Sequence, residues 1–421
     1  MTKLPALVLI PVMLAGCGGG GGSSTVSTTP PSGGGTGTTA TIATAGPPNV
    51  EPLVIDSGPA GLPEPTANVA YVTITVCVPG STTQCQSVDH VEIDTGSVGL
   101  RLLASALTSV TLPGEGDGAG NLLGECLEFA DNTTAWGEVV QADVQLPVSG
   151  ETTASTTGPP LNVQLIGAAA TGATPPAGCT GTAQDTVDDF GANGVLGVGP
   201  FGTDCNDGPC SPGNTAGYYS CPTSGAICTA FTASEAQQLQ NPVTLFAKDN
   251  NGSIVELPAI AAAGATDPSG GVIVFGIGTE SNNAIGSATE LTADLDTGVI
   301  SATYNGATYP TSYLDSGSNA NFVNGSGAAT CTDNPFLCPT ATLSESATLT
   351  GTNTSATASF TIANADSLFS GSATLTAFND LGAAGFDAQS LDLGLPFFFG
   401  QNVYLGIETE TAAPFFAAIA N

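Results

Sequence analysis

Two short runs hold the residues best suited to chemistry. Val91-Glu92-Ile93-Asp94-Thr95-Gly96-Ser97 is echoed by Ser312-Tyr313-Leu314-Asp315-Ser316-Gly317-Ser318. Each is a β-like run that delivers an Asp into a tight Thr/Ser-Gly turn. Hydrolysis of an amide by water needs a base to take the water proton and an acid to protonate the products. Two carboxyls about 3 Å apart cannot both ionise, so they share one proton and supply both roles. Asp94 and Asp315 are the expected pair. Gly96 and Gly317 let backbone approach the carboxyls closely, the hydroxyls of Ser97 and Ser318 are placed to bond the outer carboxyl oxygens, and Thr95 and Ser316 are placed to cross-brace the two turns. Such a site needs no metal and no cofactor.

Composition excludes most other chemistry. The 421 residues contain 36 Asp+Glu, 3 Lys+Arg and one His, a formal charge of −33. That charge repels phosphate backbones, so nucleic acid is not an expected partner. Neither Lys3 nor Lys248 follows a Gly, so there is no phosphate-binding P-loop. One histidine cannot build a His-rich metal site, and a Ser–His–Asp triad has only His90 to use. At low pH the chain loses its self-repulsion and gains almost no positive charge, which predicts acid tolerance.

The elements that must position the two Asp turns read as strands. The chain is 41% apolar with 56 Gly and 29 Pro, and Ala, Val, Thr, Gly and Ser dominate over long helix formers. That predicts an all-β fold. Tyr71 to Val76, Gly137 to Leu146, Asn162 to Ile166, Gly271 to Ile277 and Thr374 to Phe378 are candidate strands. One short helix is expected from the capping spacing Thr232–Glu235 to Leu239, stopped by Asn241-Pro242. Each Asp turn has an apolar-Gly element downstream: Gly194-Val195-Leu196-Gly197 in the first half, Leu393-Gly394-Leu395-Pro396-Phe397 in the second. The same order occurring twice predicts two related β lobes, residues 65–250 and 251–421, flanking a shared cleft with one Asp from each.

The N-terminus reads as an address. A short positive start and the apolar run Leu4 to Leu14 match a signal peptide, too short to span a bilayer. It ends in Leu14-Ala15-Gly16-Cys17, similar to the bacterial lipobox, so residues 1–17 are expected to be a lipoprotein signal with Cys17 lipidated. Residues 18–64, rich in Gly, Ser, Thr and Pro, are expected to be a flexible tether. The other ten cysteines suit an oxidising compartment. Cys77/Cys85 and Cys331/Cys338 are spaced to staple local turns, Cys126 and Cys179 are left to pair with each other, and Cys205, Cys210, Cys221 and Cys228 allow three pairings. The expected location is the bacterial cell envelope, with the lipid at Cys17 as membrane contact.

DTGS at 94–97, DSGS at 315–318 and VLG at 195–197 resemble the pattern of pepsin-like aspartic proteases. Gly271 to Gly276 resembles a glycine-bounded strand of that family, and Leu393 to Phe397 resembles its closing Leu-Gly-x-x-Phe element. The chain also looks like an uncharacterised family of bacterial secreted proteins with the same DTGS turn. The resemblance spans about residues 66–421 and implies a bilobal fold, peptide or unfolded-protein substrates, a monomer, and Asp94 and Asp315 as catalytic dyad. It departs in one place. The family closes its cleft with a hairpin bearing a Tyr, and the matching stretch, Cys126 to Asn132, has none; Phe129 and Trp136 are the candidates to replace it. His90 is read as a strand-end or surface residue, Arg101 as a structural ion-pair partner and Phe397 to Phe399 as core. Three functional classes fit: an acid-acting, lipid-anchored aspartic endopeptidase, a catalytically silent pepsin-like lipoprotein binding peptides or an envelope partner, and a β-rich surface adhesin.

Overall fold

The runs that alternate branched apolar residues with Thr or Ser fold as strands. In Tyr71–Cys77, Val72, Ile74 and Val76 are buried in one large apolar cluster while Thr73 faces outward, the period of two that a strand imposes. The computed structural model describes residues 40–421 except 130–132, 155–157, 169–174, 180, 207–209, 211–215, 226 and 410–411. The expected signal peptide, the lipidation site Cys17 and the first part of the tether lie outside the described residues.

The chain is all-β, and its described residues form three sheets. A ten-stranded sheet takes its strands from residues 71–230. Six of them, Thr133–Gln145, Tyr71–Cys77, Cys85–Asp94, Gly194–Val198, Val98–Leu103 and Leu161–Ile166, pair in that order, and the last pairs back onto the first to close a barrel. A seven-stranded sheet lies between residues 300 and 393, and a six-stranded sheet joins Val50–Pro52, Gly252–Leu257, Val272–Phe275, Leu291–Thr292 and the C-terminal strands Gln401–Gly406 and Phe415–Ala420.

The duplication seen in sequence is a duplication of topology. Strand Cys85–Asp94 runs into the first Asp turn and returns as Val98–Leu103, with Gly194–Val198 inserted between them, parallel to the first and antiparallel to the second. Strand Ala307–Leu314 runs into the second Asp turn and returns as Asn321–Val323, with Asp392–Leu393 inserted in the same way. A further parallel strand follows each return strand, Leu161–Ile166 in one half and Gly382–Ala384 in the other.

Three expectations need correction. The tether does not extend to residue 64: Val50–Pro52 pairs with Val272–Phe275, and Asn49 is buried with its amide donating to the Phe275 carbonyl. Pairing supplies the hydrogen bonds that composition alone does not reveal. Thr374 to Phe378 is not a strand; its only ladder contact is the bridge Ala265–Ala377. The helix near 232–239 shrinks to the 3₁₀ turn Glu235–Gln237, with the capping box at Ser234 and Gln237, because Gln238 is already extended.

All ten cysteines among the described residues are paired: Cys77–Cys85, Cys126–Cys179, Cys205–Cys210, Cys221–Cys228 and Cys331–Cys338. The crowded quartet therefore takes the sequential pairing of its three options. Five disulfides mark an exported protein of a non-cytoplasmic compartment.

Candidate active site

The two Asp turns meet. Strand pairing fixes each Asp at a strand end, and the inserted strands need glycine because the turns press against them. A Cβ on Gly197 would stand 2.8 Å from the backbone of Ser97, and one on Gly394 would stand 2.4 Å from the Ser318 carbonyl oxygen. Each turn's serine carbonyl is held by a backbone N–H just beyond the inserted glycine: Gly199 N–H donates to Ser97 O and Leu395 N–H to Ser318 O, both at 2.7 Å.

Within each turn the inner carboxyl oxygen accepts the glycine N–H, Asp94 Oδ1 from Gly96 at 2.7 Å and Asp315 Oδ1 from Gly317 at 2.8 Å. Ser97 Oγ donates to Asp94 Oδ2, and Ser318 Oγ lies 3.0 Å from Asp315 Oδ2. Between the turns, Thr95 N–H donates to Ser316 Oγ at 3.1 Å and Ser316 N–H to Thr95 Oγ1 at 2.9 Å. Each hydroxyl then donates across to the other half, Thr95 to Leu314 O at 3.1 Å and Ser316 to Ile93 O at 2.7 Å. The expected cross-brace is present in full.

The carboxyls of Asp94 and Asp315 are both buried, and each lies against the glycine of the opposite turn. The glycines make the approach possible: a Cβ on Gly96 would lie 2.6 Å from Asp315 Cγ, and one on Gly317 would lie 2.7 Å from Asp94 Oδ1. Burial raises the Asp94 carboxyl above its ordinary range, opposed by the bonds from Ser97, Asp315 and Gly96. Asp315 is raised further, by burial first and then by the charges of Asp94 and Asp392. A buried pair with one member harder to ionise can hold one proton between them, an arrangement able to serve as both acid and base.

Sequence reading missed two further carboxyls at the pair. Glu92 is buried two residues before Asp94, and burial followed by the Asp94 charge raises it well above the usual range; the two-residue spacing that puts it on the same strand face was its signal. Asp392 is buried at the other turn and contacts Ser318 Oγ. Only the pairing Tyr313–Asp392 reveals that neighbour.

Arg101 is fully buried as an ion-pair partner. Its guanidinium donates to Glu125 Oε1 at 2.6 Å, to Asp204 Oδ2 at 3.3 Å and to Val98 O at 2.7 Å, and Tyr218 OH donates to Asp204 at 2.8 Å. Burial and the Glu125 charge raise Asp204 well above its usual range, because one cation does not neutralise two buried carboxylates. His90 sits apart, its ring 3.2 Å from Asp56 Oδ2 and edge-on to Tyr71.

The aromatic candidates for covering the pair have other work. Phe129 is buried edge-on to Phe190 in a separate apolar cluster with Leu127 and Tyr218. Trp136 packs edge-on to Tyr219 beside the cysteines of two disulfides. The hairpin turn between them, residues 130–132, lies outside the described residues. A small pocket lies against the first turn, lined by Gly96, Phe201, Gly298, Tyr313 and Phe416 among others. The one metal-type grouping found among the described residues, Cys331, Cys338 and Asp366, has both sulfurs in a disulfide.

No curated protein matches the chain. Residues 45–417 match the family described as "Protein of unknown function (DUF3443)", and with nearly all of the described fold inside that match, the chain belongs to this family.

Proposed function

We propose that the protein is a secreted aspartic endopeptidase of pepsin-like, two-lobed architecture, held to the bacterial envelope by a lipid on Cys17. The observation that carries this reading is the convergence of the buried Asp94 and Asp315 carboxyls, each against the glycine of the other's turn, in two turns with equivalent glycine, serine and cross-bracing contacts. In this reading the ionised member takes a proton from water as the oxygen attacks the peptide carbonyl. The protonated member gives its proton to the carbonyl oxygen, and proton return to the amine completes cleavage. The Gly96 and Gly317 N–H bonds and the two serines keep the carboxyls in place while the proton moves.

A transition-state mimic with a central hydroxyl, such as pepstatin, tests it by calorimetry. The wild-type chain should bind in acid and lose affinity once both carboxyls ionise, and Asp94→Asn should bind at least about 100-fold more weakly. Equal binding by the two removes the dyad. One observation favours a second reading, a catalytically silent member that binds peptides or an envelope partner: both carboxyls are 0% exposed, and Phe129 is buried elsewhere. That reading predicts peptide binding with no cleavage at any pH.

A further inference from the structure

The two halves match closely at the turns and then differ at one contact. On the first turn Ser97 Oγ serves Asp94. On the second, Ser318 Oγ sits between two carboxyls, 3.0 Å from Asp315 Oδ2 and 2.5 Å from Asp392 Oδ2. The residue equivalent to Asp392 in the first half is Val195, since Val195 pairs with Glu92 as Asp392 pairs with Tyr313. The position that is apolar in the first half is an acid in the second.

A serine hydroxyl has one proton and two lone pairs. It cannot donate to two carboxylates at once, so one of the two contacts requires a proton on a carboxyl. In the dyad reading Asp315 shares its proton with Asp94. Asp392 Oδ1 is buried with no partner among the described residues, a costly place for a charged oxygen and a tolerable one for a neutral acid. The titratable groups facing Asp392 are Tyr313 and Asp315 from the adjacent strand and turn, and Asp94 beyond them. The strand on its other side, Asn321–Val323, has none. Arg101 acts at Asp94 and is engaged by Glu125 and Asp204.

We propose that Asp392 is a positioning residue that holds its own proton: as a neutral acid it donates to Ser318 Oγ, which in turn donates to Asp315 Oδ2. The site then contains two protons, one shared by Asp94 and Asp315 and one fixed at Asp392. The fixed proton orients the Ser318 hydroxyl toward Asp315 and keeps a third negative charge away from the pair. When Asp392 ionises, Ser318 turns toward it, Asp315 loses its donor, and the pair faces an added charge. The positioning role of Asp392 rests on the endopeptidase reading; its protonation does not.

Two measurements on the full chain separate those claims. Infrared difference spectra at about pH 6 compare wild type with Asp392→Asn in the carbonyl stretch of protonated carboxyls, where a neutral acid absorbs and a carboxylate does not. One band should vanish in the variant; no loss of such a band overturns the proposal whether or not the protein cleaves anything. The second is the pH profile of cleavage. Asp392→Asn keeps a donor to Ser318, so it should stay within about twofold of wild type in acid with a shallower alkaline limb, while Asp392→Leu should lose about tenfold, one hydrogen bond to a charged group. Equal losses in the two variants, or unchanged profiles in both, overturn the positioning role. Wild type without cleavage defeats the endopeptidase reading and leaves the infrared result to decide where the proton is.

Discussion

Thr95 and Ser316 exchange hydrogen bonds across the two halves, each hydroxyl accepting the other's main-chain N–H, at 2.9 Å and 3.1 Å. Both hydroxyls also donate onward to a carbonyl of the opposite strand, Leu314 and Ile93. Every polar group of the brace is buried and paired, and this reciprocal pairing sets the distance between the two carboxyls above it.

The brace should therefore behave as one unit. Thr95→Ala and Ser316→Ala should each destabilise the fold by about 1–3 kcal/mol, since each leaves a buried N–H and a buried carbonyl without partners. The double variant should lose less than the sum, with a coupling of at least about 0.5 kcal/mol in chemical denaturation. Additive losses would show that the halves are not joined there.

Gly96, like Gly317, is a position where the pair leaves no room for a side chain. Gly96→Ala places a Cβ where Asp315 Cγ now lies 2.6 Å away, so the carboxyl must move. The expected result is a loss of about 1–3 kcal/mol from overpacking and a fall in any cleavage of at least about 100-fold from the misplaced carboxyl. Gly371→Ala is the control, at an exposed glycine with no positive φ whose added Cβ would meet its nearest neighbour, Leu375, at 4.0 Å.

Much of this was legible in the sequence because the chemistry is local. Asp94 to Ser97 and Asp315 to Ser318 are contiguous, and the glycines that allow the approach lie within them. Cys77–Cys85, Cys331–Cys338 and Cys126–Cys179 followed from spacing and elimination. The edge strand Val50–Pro52 was hidden because its partner lies more than 200 residues away and its neighbours are tether-like in composition. Asp392 was hidden for the same reason: it reaches Ser318 only through a parallel pairing with the strand that carries Asp315. Phe129 and Trp136 were misjudged because hairpin position gives no information about which face of a closed barrel an aromatic ring packs against.

Stability should rise as the solution is acidified from neutral. Burial raises Glu151 and Glu256 to about 7 and Asp380 to about 6, and it also raises Glu51. A carboxyl with a raised folded-state value binds more protons folded than unfolded between its ordinary range and that value. Its contribution is complete in acid and is lost as pH rises from about 4 to about 7. Asp117 is shifted downward, but it is ionised in both states across that window and does not oppose the trend. Melting temperature should be at least about 5 °C higher at pH 4.5 than at pH 7.5. A flat or rising profile toward neutral pH contradicts the burial account.

Lipidation of Cys17 is checked by metabolic labelling with a fatty acid in a bacterial host. Wild type should take up label and Cys17→Ser should not. Equal labelling of both chains removes the lipid anchor and leaves the exported, disulfide-bonded body unaffected.

The most direct measurement is cleavage of an unfolded protein substrate by the purified full chain, read by mass spectrometry from about pH 2.5 to 6, the range in which such a pair is singly protonated. The account predicts slow cleavage with an acid optimum, blocked by pepstatin and abolished by Asp94→Asn and by Asp315→Asn, with both variants folded and at least as stable as wild type near neutral pH. Absence of pepstatin-sensitive cleavage throughout that range, or cleavage that survives either substitution, would contradict it.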